Sequence, residues 1–303
     1  SFPHLAGALL SATQRQVELT VTQETGEPSG RDMAVLRTAI QELLSGFPGV
    51  AGVFVKDLVT GEELALNREV AFAGMSLLKV AIVEEFYRQA DRTPTHEEAR
   101  LLTETMTVAG NYTSNLLLAK IGGGSPYQGA RRLTESMQRI GLVNTFMAAP
   151  YDGGQPAPRI VTPANSRRDV DTDPDPYLQT TPQDMGLLME MIYQGARGGG
   201  TLIAAYPDQI TSEECQAMLE LMKRNRIGSL IEEGSPEDTP IAHKHGWIGD
   251  THADAGIVFS PAGDYVLVVF LHQQGWLPFE ESGPLIASIA HVVYNYFNID
   301  AQW

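Results

Sequence analysis

The chain has 303 residues and 33.0 kDa, with 43% hydrophobic and 19% charged residues, a composition that buries a large core and excludes general disorder. Acids outnumber bases 37 to 21, so a net charge of −16 argues against nucleic acid and anionic lipid as partners. No apolar run reaches the ~18 residues of a membrane helix, and one cysteine, Cys215, excludes an internal disulfide framework or a zinc site built from several cysteines.

The chain begins at Ser1 without a basic and apolar leader, as expected of either a processed or a trimmed start. Residues 1–33 read as an extension or linker, with a helix over His4 to Val21 and a Gly/Pro/Ser-containing link from Glu24 to Gly30. From Asp32 the signal sharpens. Val35, Leu36, Ile40, Leu43 and Leu44 recur at helical spacing, and Gly46 and Pro48 end the pattern. Val50 to Leu58 and Glu62 to Leu66 follow as strands around a Thr60-Gly61 turn.

The middle of the chain is helical, over Ser76 to Arg88, Glu97 to Val108, Thr113 to Ile121 and Gln128 to Ile140. Residues 150–181 break the pattern with six prolines and the acids Asp169, Asp171, Asp173 and Asp175. So long a stretch without periodicity reads as a functional loop. Helices resume at Pro182 to Tyr193 and Ser212 to Arg224. Strands return at Ile241 to Trp247, Ala255 to Ser260 and Tyr265 to His272, and Pro284 to Phe297 closes the chain as a helix. Strands near both ends with helices between them predict an α+β fold. Five strands form one antiparallel sheet flanked by terminal helices, beside an all-helical lobe. The expected domain spans 34–303, with a sheet lobe of 34–70 and 240–303 and a helical lobe of 71–239.

Chemistry is expected where the elements meet. Ser76 falls at a helix N-terminus, and Lys79 three residues on shares its face. A serine there can act as nucleophile and a lysine of lowered pKa can take its proton. The alternative is a capping serine beside a snorkelling lysine. Of the five lysines, only Lys79 has a serine three positions before it. Two more fragments stand out. Ala109-Gly110-Asn111-Tyr112 precedes Asn115-Leu116-Leu117-Leu118, and Lys244-His245-Gly246-Trp247 lies on a strand. The N–H groups of Ser76 and Trp247 could pair around an oxyanion, with Gly246 allowing close approach.

Taken together, Ser76 to Lys79, Ala109-Gly110-Asn111 and Lys244-His245-Gly246 resemble the S-x-x-K, S-D-N and K-T-G elements of the penicillin-recognising serine hydrolases, in particular the class A β-lactamase branch. Thr180-Thr181-Pro182, opening a helix after the acidic loop, is also similar, and the likeness covers residues 34–299. It implies Ser76, Lys79, Asn111 and Lys244 as catalytic residues and His245, Gly246, Trp247 and Tyr112 as substrate-binding ones. It further implies a bacterial, extracytoplasmic enzyme of the kind tied to antibiotic resistance. The expected protein is a monomer acting on a small-molecule acyl donor (a β-lactam, D-amino-acid peptide or ester), with no metal and no cofactor. A glycine-rich phosphate loop and the H-E-x-x-H metal spacing are both missing from the sequence.

The departures from the family pattern bear on mechanism. Ala109 lacks the hydroxyl that passes a proton to the leaving nitrogen, with Tyr112 and His245 as the nearby candidates to replace it. His245 replaces a carboxylate-binding threonine; protonated it attracts an anion, neutral it can serve as acid or base. No glutamate lies between Glu135 and Glu190. Counting back from Thr180 puts the family's deacylating glutamate near Asn165 or Ser166, with Asp169 or Asp171 as substitutes on another loop path. The segment between Lys79 and Asn111 is short, which lowers one wall of the cleft. Acylation with slow deacylation is therefore expected. Two alternatives are a pseudoenzyme that binds peptidoglycan or another partner, and an interaction protein using the acidic loop and residues 1–33.

Overall fold

The computed structural model describes residues 31–108, 110–301 and 303, so the helix and link expected before Arg31, and Ala109, lie outside the described residues. Helix α1 (Met33–Leu44) starts where Asp32 accepts a hydrogen bond from the Ala34 N–H at 2.8 Å, a side-chain cap on an otherwise open donor. Strands β1 (Val50–Asp57) and β2 (Glu63–Leu66) form the first hairpin. Strand β3 (Phe72–Ala73) leads through a 3-10 turn, Met75–Leu78, into α2 (Lys79–Ala90). Helices α3 (His96–Thr107), α4 (Asn111–Ile121) and α5 (Pro126–Arg139) follow. Thr95 and Glu98 close a capping box on α3, and Ser125 with Pro126 opens α5.

The proline-rich stretch carries β4 (Phe146–Met147) before it and ends in β5 (Leu178–Thr180). These pair with β3 in a small sheet of order β3-β5-β4 that periodicity could not reveal, because two- and three-residue strands carry no pattern. Thr181 caps α6 (Pro182–Ala196), and the short α7 (Gly200–Ala205), also unforeseen, precedes α8 (Ser212–Lys223).

Strands β6 (Ile241–Ile248), β7 (Thr251–Ser260) and β8 (Gly263–His272) complete a five-stranded antiparallel sheet of order β2-β1-β8-β7-β6. Strand β7 starts four residues earlier than expected, because the hairpin pairs up to Ile248 and Thr251 across a two-residue turn. The polar His252 and Asp254 mask its start, yet both are buried and hydrogen-bonded, to Ser282 and His243. Helix α9 (Phe279–Phe297) likewise begins before Pro284, which it absorbs inside its second turn at the loss of one backbone bond.

Alternation along β8 divides the interior. Val266, Val268 and Phe270 join the core shared with the helices, while Tyr265, Leu267, Val269 and Leu271 pack with α1 and α9. The Tyr265 and Phe297 rings stack at 4.2 Å. The mixed α+β architecture and the five-stranded sheet agree with the sequence reading. Strand β6 forms one edge of the sheet, and it is this edge that meets the turn carrying Ser76.

Candidate active site

Ser76 sits on a strained turn. Gly74 donates its N–H to Leu178 O at 2.8 Å, which ties the end of β3 to β5. Met75 then takes a left-handed backbone, φ 52°, unusual for a residue with a Cβ and the kind of strain that surrounding structure must hold in place. Tyr151 supplies that hold by donating its hydroxyl to Met75 O at 2.6 Å. The sequence reading put Ser76 at the start of an α-helix. The structure replaces this with a 3-10 turn, in which residues three apart eclipse one another. Ser76 and Lys79 therefore share a side more closely than α-helical spacing gives.

Lys79 is fully buried while Ser76 is half-buried. Burial pulls the Lys79 pKa down to about 7, and the charge of Lys244 adds to the fall against the opposing charge of Asp152. The Tyr151 ring lies 5.2 Å from the Lys79 Nζ. Lys244 is equally buried, its Nζ has no hydrogen-bond partner among the described residues, and burial lowers its pKa to about 8 despite Asp254. The charge of buried Lys244 thus favours the neutral form of Lys79.

Strand β6 reaches the turn because Gly246 has no side chain. A Cβ there would stand 3.0 Å from Ser76 N and 2.9 Å from the Met75 Cβ. Alternation along β6 turns Lys244 and Gly246 to the side of Ala242, toward the helices, and His243, His245 and Trp247 to the other. Trp247 is about half exposed, between the rings of His245 (4.9 Å) and Phe279 (5.6 Å).

Burial lowers the His245 pKa to about 4, with Lys244 contributing, which favours a neutral imidazole near pH 7. Asn225 donates from Nδ2 to His243 O at 3.1 Å and to His245 Nδ1 at 3.2 Å, which leaves the His245 proton on Nε2. His243 behaves oppositely. Burial works against its charge, but Asp254 at 2.8 Å and Glu232 at 3.6 Å raise its pKa to about 10. This buried cation, held by its two carboxylates, stands directly before Lys244 in the chain. It drew no attention in sequence, because partners 11 residues apart meet only through the β6–β7 register.

Asn111 opens α4 but does not cap it; Gly110 holds the cap position. The Asn111 Nδ2 instead donates to Asp152 at 3.1 Å. Tyr112 is 75% exposed, on the outside of the helix start. Asn115 clamps the loop from both sides, donating to Tyr151 O at 2.8 Å and accepting from Tyr151 N at 3.0 Å.

That clamp corrects the expected loop path. Asn165 donates to Ile160 O and Gln179 Oε1, and Ser166 donates to Thr162 O, so both are engaged within the loop. Asp169 is paired with Arg167, and Asp171 accepts from the Asp173 N–H. The loop residues that act on Lys79 lie much earlier in the chain: Tyr151 through its ring and Asp152 through its charge. Counting back from Thr180 misses them because it assumes a fixed loop length. The Tyr151 phenol, fully buried, is pushed well above its ordinary pKa and stays neutral. Among the described residues no cluster of His, Cys, Asp and Glu is arranged to hold a metal, and no helix is long and apolar enough to cross a membrane.

The five-stranded antiparallel sheet with its flanking helices is the fold of the class A β-lactamases. The family profile described as the β-lactamase enzyme family matches residues 35–99 and 93–297. The chain belongs to that enzyme family. No curated protein sequence matches it. A point mutant of PBP-A, solved as an acyl-enzyme complex with penicillin G, superimposes with a TM-score of 0.68 at 22% identity, over 88% of this chain and 97% of that one. The β-lactamase of Sphaerobacter thermophilus gives 0.65 at 18% over 88% and 98%. An ancestral class A β-lactamase, the last common ancestor of Gram-negative bacteria, gives 0.67 at 20% over 87% and 98% in a mutant form. At these identities the likeness establishes the fold.

Proposed function

We propose that the protein is acylated at Ser76 by a β-lactam or a related acyl donor, a D-amino-acid peptide or ester, and that it deacylates slowly. The observation that carries this reading is the fully buried Lys79, poised to be about half neutral near pH 7, on the same side of the turn as Ser76. Neutral Lys79 takes the Ser76 hydroxyl proton as Oγ attacks the acyl carbonyl. The N–H groups of Ser76 and Trp247 hold the tetrahedral oxyanion, each such donor being worth about 3 kcal/mol of barrier. As the intermediate collapses, the carbon–nitrogen or carbon–oxygen bond breaks, and Lys79 returns the proton to the leaving atom in place of the hydroxyl that Ala109 lacks. Lys244 supplies positive potential for a substrate carboxylate, with the Nε2–H of neutral His245 as a donor at the same strand edge. Asn111 engages the acyl side chain. Tyr112 and Trp247 form the walls of the cleft, and Gly246 lets substrate approach β6.

Slow deacylation rests on Tyr151. The loop residue against Lys79 is a neutral phenol, which does not draw a proton from water near pH 7. Family membership supports an extracytoplasmic, monomeric protein, which fractionation and light scattering would check.

Intact-protein mass spectrometry after incubation with penicillin G and a chromogenic cephalosporin tests the reading, with Ser76→Ala as control. The expected result is a persistent adduct on the parent and none on the variant. Fast turnover without a trapped adduct would overturn slow deacylation. No adduct and no turnover with lactams, peptides or esters would overturn acylation at Ser76.

A further inference from the structure

Asp152 is the acid that sequence reasoning passed over. Its place is set by its neighbour. Tyr151 is clamped by Asn115 on both backbone groups and by Met75 O on its hydroxyl, so the chain enters Asp152 at a fixed distance from the Ser76 turn. Asp152 itself takes a left-handed backbone, φ 54°, and its side chain turns back to Asn111. It is solvent-exposed, and Oδ2 accepts from the Asn111 Nδ2 at 3.1 Å. This hydrogen bond goes to an amide, so it leaves the carboxylate's charge uncompensated. The charge is felt inside the cleft, where it favours the protonated form of Lys79.

The cleft is therefore dipolar. Lys79 and Lys244 are buried at one end, and at the other the Asp152 carboxylate, on its loop turn, stands beside Asn111 at the start of α4. In the form that attacks, Lys79 is neutral and no longer offers its charge to Asp152. A net charge of −16 over the whole chain further raises the local concentration of cations.

We propose that Asp152 recognises a positively charged group on the acyl portion of the substrate, so that the favoured acyl donors carry a free ammonium on that side. This deepens the acylation reading and rests on it. An unblocked amino group would form a charge-assisted hydrogen bond with the carboxylate while Asn111 holds the adjoining amide. A carboxylate on the leaving portion would run to Lys244, giving a substrate whose two charges match the two ends of the cleft.

The test compares three esters that share one chromogenic leaving group and differ in the acyl portion: a free-amino acyl group, its N-acetyl form, and a carboxylate-bearing acyl group of similar size. In each, the Ser76 Oγ–carbon bond forms, the ester carbon–oxygen bond breaks, and the serine proton passes through Lys79 to the leaving oxygen. Leaving-group release by the full chain is expected to be about tenfold faster for the ammonium ester than for the neutral one, a difference of 1.4 kcal/mol. It should be slowest for the anionic ester. In Asp152→Asn the ratio of ammonium to neutral rates should fall to about one, and in Asp152→Lys the order should invert. Equal rates for all three esters on the parent, or a ratio that survives Asp152→Asn, would overturn this inference alone. No acylation by the esters and none by penicillin would overturn the acylation reading with it.

Discussion

Lys79 and Lys244 are two lysines of ordinary type made unusual by their surroundings. Burial brings Lys79 to about 7 and Lys244 to about 8. On the proposed mechanism Lys79 must be neutral to take a proton, and it gains activity as pH rises through about 7. Lys244 must be charged to attract a carboxylate, and it loses activity as pH rises through about 8. Acylation of Ser76 by a carboxylate-bearing lactam should thus follow a narrow bell with its maximum between these values, checked by the pH dependence of the second-order acylation rate. A flat profile from pH 6 to 9 would contradict the roles given to both lysines. Tyr151 offers a second test. Tyr151→Glu puts a carboxylate against Lys79, where a base for water is missing. The lifetime of the penicillin adduct, followed by mass spectrometry, should fall at least tenfold, an effect of about 1.4 kcal/mol or more on the deacylation barrier.

At the scale of elements, the site depends on how closely β6 approaches the Ser76 turn. Gly246 permits that approach, since a Cβ would meet Ser76 N and Met75 Cβ at 3.0 Å or less. Gly246→Ala should displace the turn from the strand and open the oxyanion pair. Displacements of about 1 Å in an active site can cost on the order of a hundredfold in rate, so acylation is expected to fall by about that factor while near-ultraviolet circular dichroism stays close to the parent. A variant that acylates at the parent rate would show that the oxyanion pair does not depend on this contact. The loop before α6 is the other element that matters. Its acidic run, which offered Asp169 and Asp171 only as substitutes for the missing glutamate, is engaged in local pairs such as Arg167–Asp169. The clamp on Asn115 brings Tyr151 and Asp152 in instead.

Across the whole molecule, one buried group is spent without a visible return. Glu84 on α2 is fully buried, and neither of its carboxyl oxygens has a hydrogen-bond partner among the described residues. Burial, aided by Glu85, holds its pKa well above the ordinary value. The folded protein keeps Glu84 protonated while the unfolded chain ionises above about pH 4.3. Its contribution to stability is therefore lost progressively as pH rises from there toward the folded value. Glu84→Met, of similar length and apolar, should raise stability by about 1–3 kcal/mol at pH 8 and by less at pH 5. Thermal melts at the two pH values would show it, and equal melting shifts at both would rule out the ionisation argument.

Much of this architecture was legible in the order of residues. Helix and strand periods reflect which face of each element meets a core, a local property, so α1, α3, α5, α6, α8 and the five long strands stood out within a few residues of their ends. Ser76 and Lys79 were legible because one helical turn joins them, and Lys244 and Gly246 because they are neighbours on a strand. The tertiary structure decided everything that depends on contact between distant segments. The small sheet joins residues around 72, 146 and 179, and its strands are too short to carry a period. The charge on His243 comes from Asp254 through a hairpin register, and the neutrality of His245 comes from its burial. Tyr151 and Asp152 reach the site through Asn115, 36 residues earlier in the chain. Spacing along a chain determines which side chains share a local face. Which loops arrive at that face is set by packing, and packing also sets the protonation of every group buried there.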